Sequence, residues 1–364
     1  MKNFSVDEMF MHEALRIARN AEGRTSPNPL VGAVVVREGK IIAEGWHRQA
    51  GTPHAEVHAL NMAGELAKDS TLYVTLEPCS HFGRTPPCAN RIVESGIKKV
   101  VVAMKDPNPK VAGRGIEILK SAGIEVEVGI LEDDAKILNE SFLKWITKKM
   151  PFVTLKFACT LDGKIATVAG QSQWISCEES RKFVHELRDR SDAILVGIGT
   201  VSADNPSLTA RIDFGKNPVR VVADSLAQTP LDSKLLHDGL AETVIAVTKN
   251  APQDKILQLK NLGAEIIFAG DGDKVDLKNL LEQLAEREIT SVFVEGGGTL
   301  NFSLLELGLV DKIFAFIAPK LFGGKNSLTA VEGEGFKKIS DAVALKNISV
   351  EKIGDDVLIT GYVR

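Results

Sequence analysis

The sequence predicts an α/β protein of two domains, and three observations lead there. Its 364 residues are enough for about two domains of ordinary size, each with its own core. Short apolar strands alternate with helix-length amphipathic stretches, the pattern of a largely parallel sheet covered by helices. The alternation breaks once, at KKMPFV, where Pro151 stops a helix and a new apolar strand begins. The expected domains are 1–147 and 148–364.

Taken in order, the acidic and apolar stretch MKNFSVDEMFMHEALRIARNAEGR reads as an amphipathic helix. LVGAVVV and KIIAEGW follow as two strands joined by a short turn at EGK, so this pair is expected to be antiparallel. A helix starts near Pro53, then come the strand TLYVTL and a helix opening at PPCANRIVESG. KKVVVAM, the helix GRGIEILKSAG, the strand IEVEVG and one long amphipathic stretch, EDDAKILNESFLKWITKK, complete the first half. The second half offers FVTLKFA, DAILVG, PVRVVAD, ETVIAVT, AEIIFAG, SVFVEGGG and DKIFAFIAP as strands, with helices between several of them. ALKNISVEKIGDDVLITGYV reads as two strands around a GDD turn, which makes the second sheet mixed. No internal repeat or low-complexity tract is present.

Composition narrows the function classes. With 44% hydrophobic and 25% charged residues the chain is an ordinary globular protein, and a net charge of −4 gives no support to nucleic-acid or anionic-membrane binding. No apolar run approaches the ~20 residues needed to span a bilayer, and the acidic amino terminus is not a secretory signal. A cytoplasmic location is expected, and a homo-oligomer. The four cysteines, Cys79, Cys88, Cys159 and Cys177, are too few for a disulfide framework and favour metal ligation or plain burial.

TPHAEVHAL at 52–60 and EPCSHFGRTPPC at 77–88 carry the chemistry of the first half. Pro53 suits a first helical turn, which puts His54 and Glu56 near a helix amino terminus. Cys79 and Cys88 each follow proline, so both thiols are expected near the starts of helical turns, where unpaired N–H groups and the helix dipole favour a thiolate. One imidazole and two thiolates make a three-ligand zinc site with a position left for water, as catalytic sites have. His81 as a fourth ligand would make the site structural instead. Two further readings compete: buried core cysteines, and a variant of the H-E-x-x-H protease helix using His54 and His58. In the protease reading the glutamate stands about 100° too far round the helix, and His58 is better read as a packed helix residue. With zinc held by His54, Cys79 and Cys88, a bound water's pKa falls towards neutrality, and Glu56 can move its protons. This matches the H-x-E, P-C arrangement of zinc nucleobase deaminases, a resemblance that implies a cytidine-deaminase-like three-layer domain. The long spacer SHFGRTPP between the cysteines departs from their usual C-x-x-C and puts Arg84 where substrate must approach.

In the second half, ILVGIGTV lacks the third glycine of a dinucleotide fingerprint. VFVEGGGTLN is the stronger candidate, since glycines between a strand and a helix let main-chain amides approach a phosphate; a tight strand–helix turn explains them equally. DNPSLTAR reads either as part of a site or as a surface turn.

TSPNPLVGAVVV, PHAEVHA, YVTLEPCSHFGRTPPC and DPNPKVAGRG together resemble the deaminase half of the bifunctional pyrimidine deaminase/reductase family of riboflavin biosynthesis, in which the long cysteine spacer is usual. FVTLKFACTLDGKIA, SQWIS, ILVGIGTVSADNPSLTAR and VFVEGGGTLNFSLL resemble its reductase half, so the likeness runs the length of the chain. It implies a dihydrofolate-reductase-like second domain with a mixed sheet, zinc and NADPH as cofactors, and a small phosphorylated pyrimidine as substrate. The implied reactions are deamination of a 2,5-diamino-6-(5-phosphoribosylamino)pyrimidin-4-one and then reduction of the ribosyl side chain. NADPH contacts are implied at Ala158, Trp174, Thr200, Asp204 and the loop Gly297, Gly298, Thr299, Leu300, Asn301, Phe302 and Ser303. Substrate contacts are implied at Ser172, Arg188, Leu208, Arg211 and Glu295, the two arginines suiting a ribose phosphate. Asn28 and His47 are implied at the deaminase pocket, and Lys156 could polarise the sugar. Asp204 and Glu295 are expected to orient cofactor and sugar, while the proton donor of the reduction is not legible. Cys159 and Cys177 read as ordinary packed residues. A nucleic-acid base deaminase with an appended domain, and a zinc-stabilised sensor without activity, are the rival readings; the acidic balance opposes the first and an intact Glu56 the second.

Overall fold

A computed structural model describes residues 5–80, 87–108 and 112–364. The chain divides into two units, Met1–Lys149 and Met150–Arg364.

The first unit is built on a five-stranded sheet: β1 (Gly32–Arg37), β2 (Lys40–Trp46), β3 (Thr71–Leu76), β4 (Lys99–Met104) and β5 (Glu125–Val128), in the order β2-β1-β3-β4-β5. β1 pairs antiparallel with β2, as the short turn requires, and also with β3, while β3–β4 and β4–β5 are parallel. The sheet is therefore more mixed than the alternation suggests. The connection from β2 to β3 steps over β1, and the helix it carries, Ala55–Ala63, lies against β1 and β2. In chain order the helices are α1 (Val6–Ala18), α2 (Ala55–Ala63), α3 (Cys88–Glu94), α4 (Arg114–Ser121), α5 (Glu132–Leu138) and α6 (Glu140–Lys148). A capping box fixes the start of α1: Ser5 Oγ accepts the Glu8 N–H, and the Glu8 carboxylate accepts the Ser5 N–H at 2.7 Å. Its buried face, Phe10, Met11, Ala14, Ile17 and Ala18, sits directly on β1, where a Cβ on Gly32 would meet Ala14 O at 2.0 Å. The long amphipathic stretch expected at the end of this unit breaks into α5 and α6 at Asn139. There the buried side-chain amide accepts the Leu30 N–H (2.8 Å) and donates to the Leu30 carbonyl (3.0 Å), a two-bond pairing with a segment 109 residues earlier.

The second unit has a nine-stranded sheet in the order β10-β9-β8-β7-β11-β6-β12-β14-β13. Its strands are β6 (Phe152–Thr160), β7 (Ala193–Gly197), β8 (Val219–Ala223), β9 (Thr243–Val247), β10 (Glu265–Phe268), β11 (Ser291–Val294), β12 (Lys312–Ala318), β13 (Leu345–Ile353) and β14 (Asp356–Val363). The pairings from β10 through β12 are parallel, and the last two are antiparallel, giving the mixed sheet expected. Gly354 takes the left-handed φ of 56° that opens the hairpin between β13 and β14. The helices are α7 (Glu178–Arg190), α8 (Ile198–Asp204), α9 (Lys234–His237), α10 (Gln253–Asn261), α11 (Leu277–Glu286) and α12 (Gly298–Glu306). Two apolar clusters cover the two faces of the central strands, one around Leu155, Leu195, Leu280 and Leu304, the other around Ile194, Val222, Phe293 and Phe316. Among the described residues no helix is long and apolar enough to cross a membrane.

Candidate functional site

Each unit gathers reactive side chains at one place. In the first unit His54 is the N-cap of α2 and Glu56 lies in its first turn, near the helix start as expected, although Pro53 precedes the cap and is not in the first turn. Cys88 is the first residue of α3, but Cys79 departs from expectation: it lies in the irregular segment after β3, not at a helical turn. The helix amino terminus still reaches it, because the Cys88 N–H donates to Cys79 Sγ at 3.3 Å. His54 Nδ1 stands 3.2 Å from Cys88 Sγ and 3.6 Å from Cys79 Sγ. Ligand atoms of His54, Cys79 and Cys88 all fall within 4.8 Å of one another, and among the described residues no fourth His, Cys, Asp or Glu joins them. One imidazole nitrogen and two sulfurs form the donor set that zinc prefers, so the residues present fit that ion. His58 is apart from this group, its Nε2 buried and without a partner. His81 and Arg84 lie outside the described residues.

The local electrostatics follow from crowding these groups together. The Cys88 thiol, with help from His54, draws the Cys79 thiol down to about 4 against the opposing effect of burial. Cys88 is pushed up by the neighbouring Cys79 sulfur and by burial, so Cys79 ionises first. His54 is raised by its contact with Cys79. Glu56 is buried, and burial raises its pKa although His54 opposes the rise, which favours the protonated carboxyl relative to an exposed glutamate.

His47 stands edge-on to His54, ring centres 5.4 Å apart. Its Nδ1 lies 3.2 Å from the Pro53 carbonyl, which can only accept, so Nδ1 carries the proton. Its Nε2 therefore accepts from Asn28 Nδ2 at 3.1 Å. Burial lowers the His47 pKa, in keeping with this neutral tautomer. Asn28 keeps its side-chain oxygen for other partners, and the Asn139–Leu30 pairing anchors the segment that carries it.

In the second unit Lys156 and Ala158 lie on β6, and Glu295 follows β11. Arg188, on α7, is buried in a two-pronged pair with Glu295: Nε to Oε1 at 2.5 Å and Nη2 to Oε2 at 2.9 Å. Its Nη1 donates to the Thr209 carbonyl at 2.9 Å, leaving one N–H on each terminal nitrogen. Burial raises the Glu295 pKa, but the Arg188 guanidinium prevails and holds it at about 2. Lys156 is half-buried beside this pair, its Nζ 5.9 Å from the Phe316 ring, and burial pulls its pKa down. Arg211 is exposed, and Leu208 takes an unusual left-handed φ of 52°. Ser172 Oγ donates to Asp204 Oδ1 at 3.0 Å, and Trp174 is exposed under the Arg181 guanidinium, 4.6 Å from its ring.

The stretch 297–303 is not a loop. Gly297 is the N-cap and Gly298–Glu306 is helix, with the Leu300, Asn301 and Phe302 side chains buried. What this stretch leaves open is the main-chain amides of its first turn, which sit next to Thr200, whose Oγ1 is 3.6 Å from the place of a Cβ on Gly297. Gly296 takes a φ of 101°, and a Cβ on Gly298 would run into Glu332 and the Thr329 carbonyl. Glycines that expose amides at a helix start fit a phosphate-bearing cofactor such as NADPH.

Two sequence profiles match the chain: the cytidine and deoxycytidylate deaminase zinc-binding region over residues 4–104, and the RibD C-terminal domain over residues 151–359. The riboflavin biosynthesis protein RibD of Aquifex aeolicus is 47% identical over 97% of this chain and 98% of its own. The chain belongs to the RibD family. It is a bifunctional riboflavin-biosynthesis enzyme, deaminase and reductase in one polypeptide. Its fold matches Acinetobacter baumannii RibD with a TM-score of 0.89 at 39% identity, covering 99% of both chains. A Thermotoga maritima diaminohydroxyphosphoribosylaminopyrimidine deaminase/5-amino-6-(5-phosphoribosylamino)uracil reductase matches with a TM-score of 0.88 at 40% identity, again over 99% of each.

One supporting residue in this RibD chain escaped the sequence reading. Glu77, buried directly before Pro78-Cys79, accepts main-chain N–H groups from Asp106 (3.3 Å), Gly113 (3.0 Å), Gly115 (3.0 Å) and Ile116 (3.4 Å). It fastens the start of α4 onto the segment bearing the cysteine. Gly115 has to be glycine there, since a Cβ would lie 1.9 Å from the Pro78 carbonyl oxygen. The signal available was an acid ending an apolar strand, in LEPC.

Proposed function

We propose that residues 1–147 carry the deaminase step and 148–364 the reductase step, acting on the compounds that the Thermotoga maritima relative is named for. The observation that carries the first assignment is the meeting of His54, Cys79 and Cys88 beside a buried Glu56. Those three residues would hold zinc, which supplies a water acidified to near neutral pH. Glu56 takes a proton from the attacking water and gives it to the ring nitrogen, then passes the second proton, from the newly formed hydroxyl, to the departing amine, so that water enters and ammonia leaves. Asn28 and His47 form one wall of the pyrimidine pocket. The amide oxygen of Asn28 is available to the base, while one of the two N–H donors of its NH₂ is used on His47. Arg84 is assigned to the substrate on the family resemblance alone.

NADPH held along Ala158, Trp174, Thr200, Asp204 and the amides of 297–303 would supply hydride to C1 of the ring-opened ribosylamine. Arg211 and the remaining N–H groups of Arg188, with Ser172 and Leu208, receive the phosphate. Lys156 and Glu295 face the sugar, and the depressed Lys156 pKa supports a group that can polarise it. The same reading makes the substrate a small molecule and not nucleic acid, in keeping with a net charge of −4, and places a homo-oligomeric enzyme in the cytoplasm. Mass analysis of the diaminopyrimidine substrate incubated with enzyme tests the scheme. A rise of about one mass unit without NADPH, and about two more with it, is the expected result; reduction without prior deamination would overturn the order.

A further inference from the structure

The reductase unit contains a histidine with no part in the scheme so far. His185 lies on α7, one turn before Arg188. Its Nδ1 accepts the main-chain N–H of Arg211 at 3.4 Å. The short segment ending at Arg211 is thus fastened at successive residues: Thr209 O accepts from Arg188, Ala210 N–H donates to Asn217 Oδ1 at 2.9 Å, and Arg211 N–H donates to His185. Of these fastenings, the one at Arg211 itself depends on a group that can titrate. We propose that His185 is the positioning residue of the reductase's phosphate site, a neutral acceptor that fixes the main chain at Arg211 and so sets that guanidinium beside Arg188.

The inference rests on the reading that Arg188 and Arg211 receive the substrate phosphate, and it adds the reason the second arginine is in place. His185 can accept only while Nδ1 is unprotonated; a protonated ring would turn an N–H towards an N–H. Its surroundings keep it neutral. Burial comes first, then the positive charges of Arg188 and Arg211, with the Thr209 carbonyl and Glu295 opposing, and together they hold the imidazole down to about 4. Glu295 offsets Arg188, so the cluster keeps a surplus positive charge in which an anion is favoured and a third cation is not.

The test uses the full-length enzyme, saturating NADPH, and 5-amino-6-(5-phosphoribosylamino)uracil beside the same compound lacking its phosphate. His185→Leu removes the acceptor and is expected to raise KM for the phosphorylated substrate about tenfold, with kcat within about twofold. His185→Asn puts an amide oxygen where Nδ1 was, and should restore KM. KM for the compound without phosphate should stay the same in all three proteins. As pH falls from 6.5 towards 4, the ratio of wild-type to His185→Asn KM should rise, the substrate's own ionisation cancelling in that ratio; this reading does not depend on the leucine variant folding. Arg211→Ala separates the two levels of the argument, with an expected rise of about a hundredfold for the phosphorylated substrate only. If Arg211→Ala leaves KM alone, the phosphate reading itself fails. If Arg211→Ala acts but the KM ratio stays flat with pH, or asparagine fails to rescue, His185 has no positioning role.

Discussion

The two units bury charge in opposite ways. In the first, His54, Cys79, Cys88 and Glu56 are packed together with one imidazole to set against two thiols and a carboxyl, and each perturbs its neighbours' protonation. In the second, the buried Glu295 carboxylate is already matched by a two-pronged arginine, with Lys156 beside it. A site waiting for a dication is left electrostatically unfinished by its own chain. The site proposed to take a neutral sugar and a phosphate has its carboxylate matched in advance, and adds a further positive charge at its exposed edge, at Arg211.

This contrast can be broken experimentally, and the largest effect should come from chelation. Stripping the metal from the full-length enzyme is expected to abolish ammonia release while reduction of pre-deaminated substrate continues; parallel loss of both activities would erase the distinction. Next, Glu56→Gln should lower deamination by about 10²–10⁴-fold, with metal content measured by atomic absorption unchanged and the reductase rate intact.

On the other side, Glu295→Gln leaves the buried Arg188 without its anion and with Lys156 beside it. Such a change costs about 3–5 kcal/mol, and the loss should show as urea-dependent proteolysis confined to residues 150–364. Because Glu295 is depressed from an ordinary 4.5 to about 2, its contribution is fully present above pH 4.5 and is lost as pH falls towards 2. The variant should therefore lack that part of the acid sensitivity.

The smallest effect concerns exposed Asp162, whose carboxylate accepts from Thr160 Oγ1 and from the Phe322 and Gly323 amides and is held at about 2. Asp162→Asn should speed hydrogen exchange at those two amides by about threefold or less above pH 4, since exposed polar contacts contribute little. The difference should vanish as pH drops towards 2, where the wild-type carboxylate is itself protonated.

The chemistry of the first site was legible because metal ligation needs particular residue types, and His54, Glu56, Cys79 and Cys88 stand in short motifs. The strand order was legible in part. A two-residue hairpin dictates that β1 and β2 are antiparallel, but nothing local says that β3 will land on the far side of β1. Glu77, Asn139 and His185 were missed for a common reason. Each acts on main-chain groups, which every residue possesses, so the partner leaves no mark on the sequence. In the 297–303 stretch the glycines were read correctly as a strand-to-helix junction, yet where helix replaces loop depends on Leu300 and Phe302 finding the core. Arg188 reads as a phosphate ligand because guanidinium fits phosphate; it fits a carboxylate equally well, and only the fold shows that Glu295 is also its partner.

The pairing of Asn139 with Leu30 makes the first unit harder to trim than its sheet suggests. The proposed pocket wall at Asn28 is stapled from the far end of the unit, beyond the last strand. A gene cut just after β5 would still encode every proposed metal ligand and the whole sheet, but would leave that wall loose. Anyone grafting this half onto another polypeptide has to bring the trailing helices along.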